Sequence, residues 1–436
     1  MGPSSILENI LRFFRKYIIP RAVFNFFQPA YHWSLTFLGA MLYGFPSRKL
    51  NIVAITGTKG KTTSTELVNA ILEEAGYKTA IASTLRIKVG ADSRANMFKM
   101  TTPGRFFLQR FLRQALDSGC EWVVLELTSE AAKLYRHKFI ALNALIFTNI
   151  APEHIESHGS FEKYLDAKLS LARELSRSPK RPRIIVANLD NDYGRTFHAY
   201  DADAKIGFHL AEVSPFQSGE NGSTFVFLGT QMATKLPGRF NLENILGALH
   251  FAHAIGIEIE VARRAILRID HVPGRAEVIH APQGFDVVID YAHTPDSLKA
   301  IYETFSTKGG PASGGGDRRL IAVLGSCGGG RDIWKRPLMG NVAETHCEHI
   351  ILTNEDPYDE DPKTIIENVA SGISNKEKIE IIMDRREAIR KAFSIAKSGD
   401  VVLITGKGTD PFLMEASGKR TPWSDRKVAE EELAKL

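Results

Sequence analysis

Seven residues, Gly57-Thr58-Lys59-Gly60-Lys61-Thr62-Thr63, join the apolar run Ile52-Val53-Ala54-Ile55 to a stretch with helical periodicity. Strand, glycine-bearing loop and helix in that order let backbone N–H groups and a helix N-terminus face the phosphates of a nucleotide. Lys61 would reach the β and γ oxygens, and the Thr62 hydroxyl would ligate Mg2+. The whole segment, Gly57, Thr58, Lys59, Gly60, Lys61, Thr62 and Thr63, is therefore the first candidate ATP site. A general phosphate loop asks for glycine where Ile55 stands, so this is a shortened form. A chance glycine turn is the bland alternative; Lys-Thr-Thr at the helix start weighs against it.

Such a loop needs a sheet to hold it. Runs 51–56, 122–126, 144–149 and 183–188 read as buried strands, and 64–75 and 106–118 as helices. That alternation predicts a parallel sheet covered by helices. A second series begins near residue 274, with strands expected at 286–290, 319–324, 349–352 and 401–405. The stretch 308–317, rich in Gly, Pro and Ser, reads as a mobile surface loop. No internal repeat is found. The expected fold class is α/β. A central P-loop-type parallel-sheet domain spans 49–270, a smaller Rossmann-like α/β domain spans 271–436, and an aromatic and basic helical arm spans 1–48.

At 436 residues the chain has room for two or three domains. Apolar residues at 44% and charged residues at 24% exclude a disordered or fibrous chain. The net charge, 55 − 50 = +5, makes no case for nucleic acid. All of it lies in residues 1–50, where Arg12, Arg15, Lys16, Arg21, Arg48 and Lys49 face a single acid, Glu8. Cys120, Cys327 and Cys347 form no CxxC pair and are odd in number, which reads as a reducing cytoplasm. No secretory signal is recognisable. Residues 22–47 carry no charge, but Asn25, Gln28, Pro29 and His32 interrupt them. The cleanest run, 33–45, falls short of the ~20 residues that span a bilayer. Phe13, Phe14, Tyr17, Phe24, Phe26, Phe27, Tyr31 and Trp33 interleave with the basic residues. Two readings stand open: an interfacial helix at the inner face of the membrane, or an arm (residues 1–46) covering another domain or a partner subunit by self-association.

The shortened loop T-G-T-x-G-K-T-T resembles the ATP-binding loop of the Mur ligases and the related folylpolyglutamate synthetases. Further segments resemble that family in order: Thr101-Thr102-Pro103-Gly104, Glu126-Leu127-Thr128-Ser129, the stretch Thr148-Asn149 to Glu153-His154, Tyr164 with Lys168, Asn241 to Asn244, Pro273-Gly274-Arg275 and Asp290-Tyr291-Ala292-His293-Thr294-Pro295. They cover roughly 50–415. The last of them, together with Gly329-Gly330-Arg331-Asp332 and Gly406-Lys407-Gly408, is similar to the branch that adds the third amino acid to UDP-N-acetylmuramoyl-dipeptide in peptidoglycan precursor synthesis.

That resemblance implies ATP-dependent amide formation. A carboxylate attacks the γ-phosphate, and an amine then displaces phosphate from the acyl phosphate. It implies one Mg2+ on Thr62 and Glu126 and a second served by His154 and a carbamylated Lys168, since carbamylation turns a cation into the anionic oxygen ligand Mg2+ prefers. Asn244 is expected at the adenine, Asp290 at the ribose and Arg275 at the γ-phosphate. Lys61, Glu126, His154, Lys168 and Arg275 thus form the expected catalytic set. Each has a structural alternative: a capped strand end for Glu126, a loop histidine for His154, an ordinary exposed helix lysine for Lys168, an interdomain ion pair for Arg275 and a helix cap for Asn244. Thr101, Thr102, Thr128 and Arg136 match contacts to a muramyl-peptide-like substrate, although Arg136 could be a solvated arginine, Thr128 stands where serine is usual and Glu130 where histidine is.

Two departures matter. Members accepting meso-diaminopimelate carry D-N-P-R, whose arginine pairs with the distal carboxylate; here Asn354-Glu355-Asp356-Pro357-Tyr358 puts Tyr358 at that arginine. Glu355, Asp356, Asp359, Glu360, Asp361 and Asp410 favour a free amino acid with a basic side chain, lysine or ornithine, with a solvated acidic loop as the alternative. Arg331 is the candidate for its α-carboxylate, and Gly406 belongs to the same subsite. The second departure is the N-terminus, which reads as an arm where the branch has a UDP-gripping domain. The acceptor is then held with a minimal grip, or is lipid-linked, or is another carboxylate such as a folate polyglutamate or an amino acid polymer. A non-catalytic nucleotide-binding membrane scaffold is the remote alternative.

Overall fold

The computed structural model describes residues 21–98, 100–306 and 318–436. Residues 1–20 of the arm, with Phe13, Phe14 and Tyr17, and the expected loop 308–317 lie outside the described residues.

The first sheet has eight strands in the order Asp92–Ala95, Arg86–Val89, Thr79–Ala82, Trp122–Glu126, Asn51–Thr56, Ala144–Phe147, Ile184–Asn188 and Ala204–Phe208. All neighbours pair in parallel except the first two junctions, which are antiparallel. Val53, Ile55, Val124 and Ile146 point into one core with helices Lys61–Glu74 and Arg239–Ala254. Ile52, Ala54, Val123, Leu125 and Leu145 point into the other, with helix Arg105–Asp117. A strand buried on both faces reads as a continuous apolar run, which is why these strands stand out in the sequence.

Asn51–Thr56 lies between Trp122–Glu126 and Ala144–Phe147, and Ile55 pairs with Glu126. The phosphate loop and the Glu126 carboxylate therefore leave the sheet side by side at the carboxyl ends of its central strands. The strand expected over 144–149 stops at Phe147 because Thr148 and Asn149 turn onto the loop: Thr148 Oγ1 donates to the Lys59 carbonyl at 2.7 Å, and Asn149 Oδ1 accepts Lys59 N–H at 2.9 Å. The helix expected from 64 starts at Lys61, so the Lys-Thr-Thr of the loop is its first turn.

The second sheet runs Glu277–His280, Asp286–Asp290, Val401–Thr405, Leu320–Leu324, His349–Leu352 and Ile379–Ile381. Its first pair is antiparallel and the rest are parallel, with a separate apolar cluster on each face. An antiparallel sheet of Gln217–Gly219, Gly222–Phe227 and Thr230–Thr234 has no counterpart among the sequence expectations.

The arm contains a helix, Arg21–Leu42, packed along Arg105–Asp117. A Cβ on Gly39 would lie 3.6 Å from Phe106 and 3.7 Å from Gln109. Thr36 Oγ1 reaches the Tyr135 carbonyl at 3.2 Å, and the Trp33 and Phe37 rings meet Phe139 at 5.2 and 5.4 Å. Among the described residues no helix is long and apolar enough to cross a membrane.

Candidate active site

Gly60 turns the chain into helix Lys61–Glu74 at φ +78°, and no side chain caps that helix. Its first N–H groups are thereby left for an anion. A Cβ at Gly60 would fall 2.0 Å from Asn244 Oδ1, so only glycine lets helix Arg239–Ala254 seat Asn244 against the loop. Ser64 Oγ donates to the same oxygen at 3.4 Å. Lys61 Nζ donates to the Thr58 carbonyl at 2.8 Å. Burial pulls its ammonium below the usual lysine range, with the Glu126 carboxylate pulling the other way.

Glu126, buried at the strand end, gathers both halves of the expected chemistry. Thr62 Oγ1 donates to its two oxygens at 3.2 Å each. Thr84 donates to it through N–H at 2.8 Å and through Oγ1 at 3.0 Å, and the Thr84 and Thr101 hydroxyls are 2.7 Å apart. Thr102 Oγ1 donates to the Glu126 carbonyl at 3.0 Å, and Arg136 donates to the Thr102 carbonyl. Arg136 therefore braces the acyl segment and is not a solvated arginine. Thr128 acts locally, capping helix Ser129–Lys133 with its Oγ1, which accepts Ala131 N–H at 3.2 Å.

Lys168, on helix Phe161–Ser176, is only 2% exposed, which removes the reading of an ordinary surface lysine. Its Nζ donates to the Gly57 carbonyl at 2.6 Å and lies 4.9 Å over the Tyr164 ring, whose hydroxyl meets Thr58 Oγ1 at 2.7 Å. Burial, aided by the Lys61 charge, pushes its amine well below the usual lysine range. His154 sits at φ +58°, where Asp332 accepts its N–H at 2.9 Å and that of Ile155 at 3.1 Å. Among the described residues no three His, Cys, Asp or Glu side chains converge as a metal cage. Mg2+ takes one or two carboxylates and fills its octahedron with phosphate and water oxygens. Thr62 with Glu126 offers oxygens as it stands; His154 with Lys168 needs Lys168 converted to an oxygen donor.

The C-terminal sheet brings its own residues to this edge. Arg275 Nη2 approaches Thr62 Oγ1 at 3.4 Å, its guanidinium 4.5 Å over the Tyr291 ring. Asp290 uses both carboxylate oxygens on the N–H groups of Ala276 and Ala292, each at 2.6 Å. Glu153 accepts from Lys59 at 3.2 Å and pairs with His293 at 2.8 Å. Glu153, His293, Asp332 and Tyr164 were not singled out from the sequence, although each stands inside a quoted motif.

A cleft of about 150 Å3 runs from Thr84, Thr101 and His154 to Arg331, Tyr358 and Asp410. At its far end Arg331 lies 5.0 Å over the Tyr358 ring. Asp356 accepts from Lys407 Nζ and from Met414 N–H, both at 2.8 Å, and Lys407 is also 3.6 Å from Asp410. Glu355, 3% exposed, has its Oε2 without a hydrogen bond, and burial pushes its carboxyl up to about 7. A Cβ at Gly406 would fall 2.1 Å from that oxygen, so glycine there makes room for Glu355. Lys407 and Asp356 are both buried. Lys407→Met should thus lower stability by about 3–5 kcal/mol, the cost of stranding a buried charge. Urea unfolding with an unchanged midpoint would refute a structural role for the pair.

The Mur ligase middle domain is matched over residues 55–252 and the Mur ligase glutamate ligase domain over 274–408. The UDP-N-acetylmuramoyl-L-alanyl-D-glutamate–2,6-diaminopimelate ligase of Syntrophomonas wolfei is 37% identical over 409 residues, covering 91% of this chain and 81% of that protein. The ligase of the same name from Aquifex aeolicus is 37% identical over 398 residues, 89% and 78% of the two chains. A solved structure of a ligase of this name superposes with a TM-score of 0.58 at 28% identity, over 88% of this chain and 78% of the other. The matched spans take in the phosphate loop, Glu126, Lys168 and Arg275 alike, and the chain belongs to the Mur ligase family.

Proposed function

We propose that the chain joins an amino acid to a muramyl-dipeptide-type carboxylate at the expense of ATP, through an acyl phosphate. The observation that carries this is the single carboxylate of Glu126, bonded to Thr62 of the phosphate loop and, through Thr84, to Thr101 of the acyl segment. A nucleotide-binding scaffold has no need to tie those two segments together; a ligase must bring the γ-phosphate to the acceptor carboxylate.

In this reading residues 57–63 cradle the phosphates, Lys61 and Arg275 neutralise charge on the transferred group, and Asn244 and Asp290 border the nucleoside. Thr101, Thr102, Thr128 and Arg136 shape the acceptor site. Mg2+, held by Thr62 and Glu126 and at a second site by His154 and carbamylated Lys168, would supply charge neutralisation for the phosphates. Arg331 takes the α-carboxylate of the incoming amino acid, beside Asp356, Tyr358, Gly406 and Asp410. Units 49–270 and 271–436 close on each other through Arg275, His293 and Asp332, excluding water from the acyl phosphate. The enzyme works in the cytoplasm, with the arm 1–48 as a peripheral membrane or self-association element.

The relatives are named for 2,6-diaminopimelate. Here the Arg331 face is stacked on Tyr358, and Glu355 and Asp410 line the same cleft, which disfavours a second carboxylate on the incoming amino acid. Phosphate release with ATP, Mg2+ and UDP-N-acetylmuramoyl-L-Ala-D-Glu, screened across lysine, ornithine and meso-diaminopimelate, tests the reading. A basic amino acid is expected to exceed diaminopimelate by at least about tenfold in kcat/KM. Preference for diaminopimelate overturns the specificity; silence with all three, from a folded ATP-binding protein, overturns the muramyl acceptor.

A further inference from the structure

Helix Arg21–Leu42 turns His32, Thr36, Gly39 and Ala40 inward, one stripe at helical spacing. A surface helix ordinarily carries charged residues on the opposite side. This one carries none from Ala22 to its end, and its outward side shows Tyr31, Leu38 (45% exposed), Met41 (52%) and Leu42 (66%). Among the described residues no helix is long and apolar enough to cross a membrane, and burying this face against another surface removes its apolar area from water.

Two further observations say on what. From Asn9 to Thr65 there is no acidic residue, while Arg12, Arg15, Lys16 and Arg21 precede the apolar face and Arg48 and Lys49 follow it. Basic flanks around an apolar, aromatic face complement an anionic lipid surface; in a pair of identical chains the same flanks would repel. Second, the exposed apolar surface continues toward the cleft. The helix packs on Arg105–Asp117, which begins directly after Thr101-Thr102-Pro103-Gly104. Exposed Phe106 meets Gly39, exposed Phe98 stacks edge-on with Phe107 at 5.0 Å, and exposed Met100 lines the cleft beside Thr101.

We propose that the outward face of helix Arg21–Leu42 docks on an anionic lipid bilayer and turns the mouth of the acyl-substrate cleft toward that surface. Naming the mouth rests on the ligase reading; the docking does not. Membrane docking at this mouth suits an acceptor that is itself anchored in the bilayer.

Flotation of the full-length protein with vesicles tests this directly. Vesicles of phosphatidylglycerol and phosphatidylcholine in equal parts should carry the protein upward, and phosphatidylcholine alone should do so at least about tenfold less. Raising the salt should weaken the binding. The double variant Leu38→Glu/Met41→Glu, whose substitutions lie on the outward face, should lose binding at least about tenfold while keeping its ATP affinity and its turnover of a soluble acceptor. Undiminished flotation of that variant overturns the proposal, as does a wild-type protein that ignores both vesicles. So does a concentration-dependent dimer in light scattering that the variant abolishes, which would give the face to a second copy. Flotation without amine-dependent turnover would remove the ligase reading and leave the docking standing.

Discussion

Lys61→Ala is expected to lower amine-dependent phosphate release by about a thousandfold or more, with the fold retained. The Lys61 side chain folds back onto the Thr58 carbonyl at the mouth of an uncapped helix, with Glu126 as its nearest carboxylate influence. A cation held there acts on the β and γ oxygens, where charge redistributes most as the phosphoryl group moves. The loss should therefore fall mainly on kcat, with ATP affinity weakened far less. Desolvation already works against the charge of Lys61, which is only half-buried, so alanine removes a partly desolvated cation and need not unfold the chain. The checks are steady-state phosphate release, nucleotide binding by fluorescence titration and circular dichroism on the same preparation. Full activity in the variant would dismiss residues 57–63 as the phosphate site and return them to the status of a glycine turn. A kcat unchanged beside a raised KM for ATP would confine Lys61 to binding.

How much of the molecule is legible in the sequence follows from where each interaction lives. Strands 51–56, 122–126, 286–290 and 401–405 are buried on both faces, and their apolar runs have the residue bounds seen in the structure. Asp92–Ala95 is exposed at all four positions, and Gly222–Phe227 alternates over six residues, so neither leaves an apolar run to read. The phosphate loop is local in sequence and can be argued from spacing. Thr62 with Arg275, Glu153 with His293 and His154 with Asp332 join residues more than a hundred positions apart, and spacing says nothing of such pairs. The acidic loop shows the limit most clearly. Glu355 and Asp356 are buried at the cleft, whereas Asp359 and Asp361 are exposed. Asp361 caps helix Pro362–Ala370, and Glu360 pairs with buried Arg336 at 2.6 Å. The solvated-loop alternative thus holds for part of the run, and only the fold could divide it.

Lys168→Met should separate function from stability in a way no surface lysine would. Unmodified Lys168 is held below the usual lysine range, first by burial and then by the Lys61 charge. The unfolded chain therefore binds its proton more readily than the folded one, and stability from this residue rises with pH and falls on acidification. Below the ordinary lysine value an unmodified Lys168 opposes folding, offset by its bond to the Gly57 carbonyl. Methionine fills a similar volume without the charge, so the thermal midpoint should stay level or rise. Activity should nonetheless fall by about a hundredfold or more if the second metal position depends on this side chain. The same neutral amine is the form that would add CO2, giving a carbamate anion and releasing one proton. Acidification charges the amine and closes that route, so turnover should fall as pH is lowered and should depend on dissolved CO2. Wild-type enzyme held in CO2-depleted buffer at mildly acidic pH should lose turnover and regain it on bicarbonate at neutral pH, while Lys168→Met should ignore bicarbonate. A wild type indifferent to CO2 would leave Lys168 as a buried amine steadying the Gly57 carbonyl, and a fully active methionine variant would remove it from the reaction altogether.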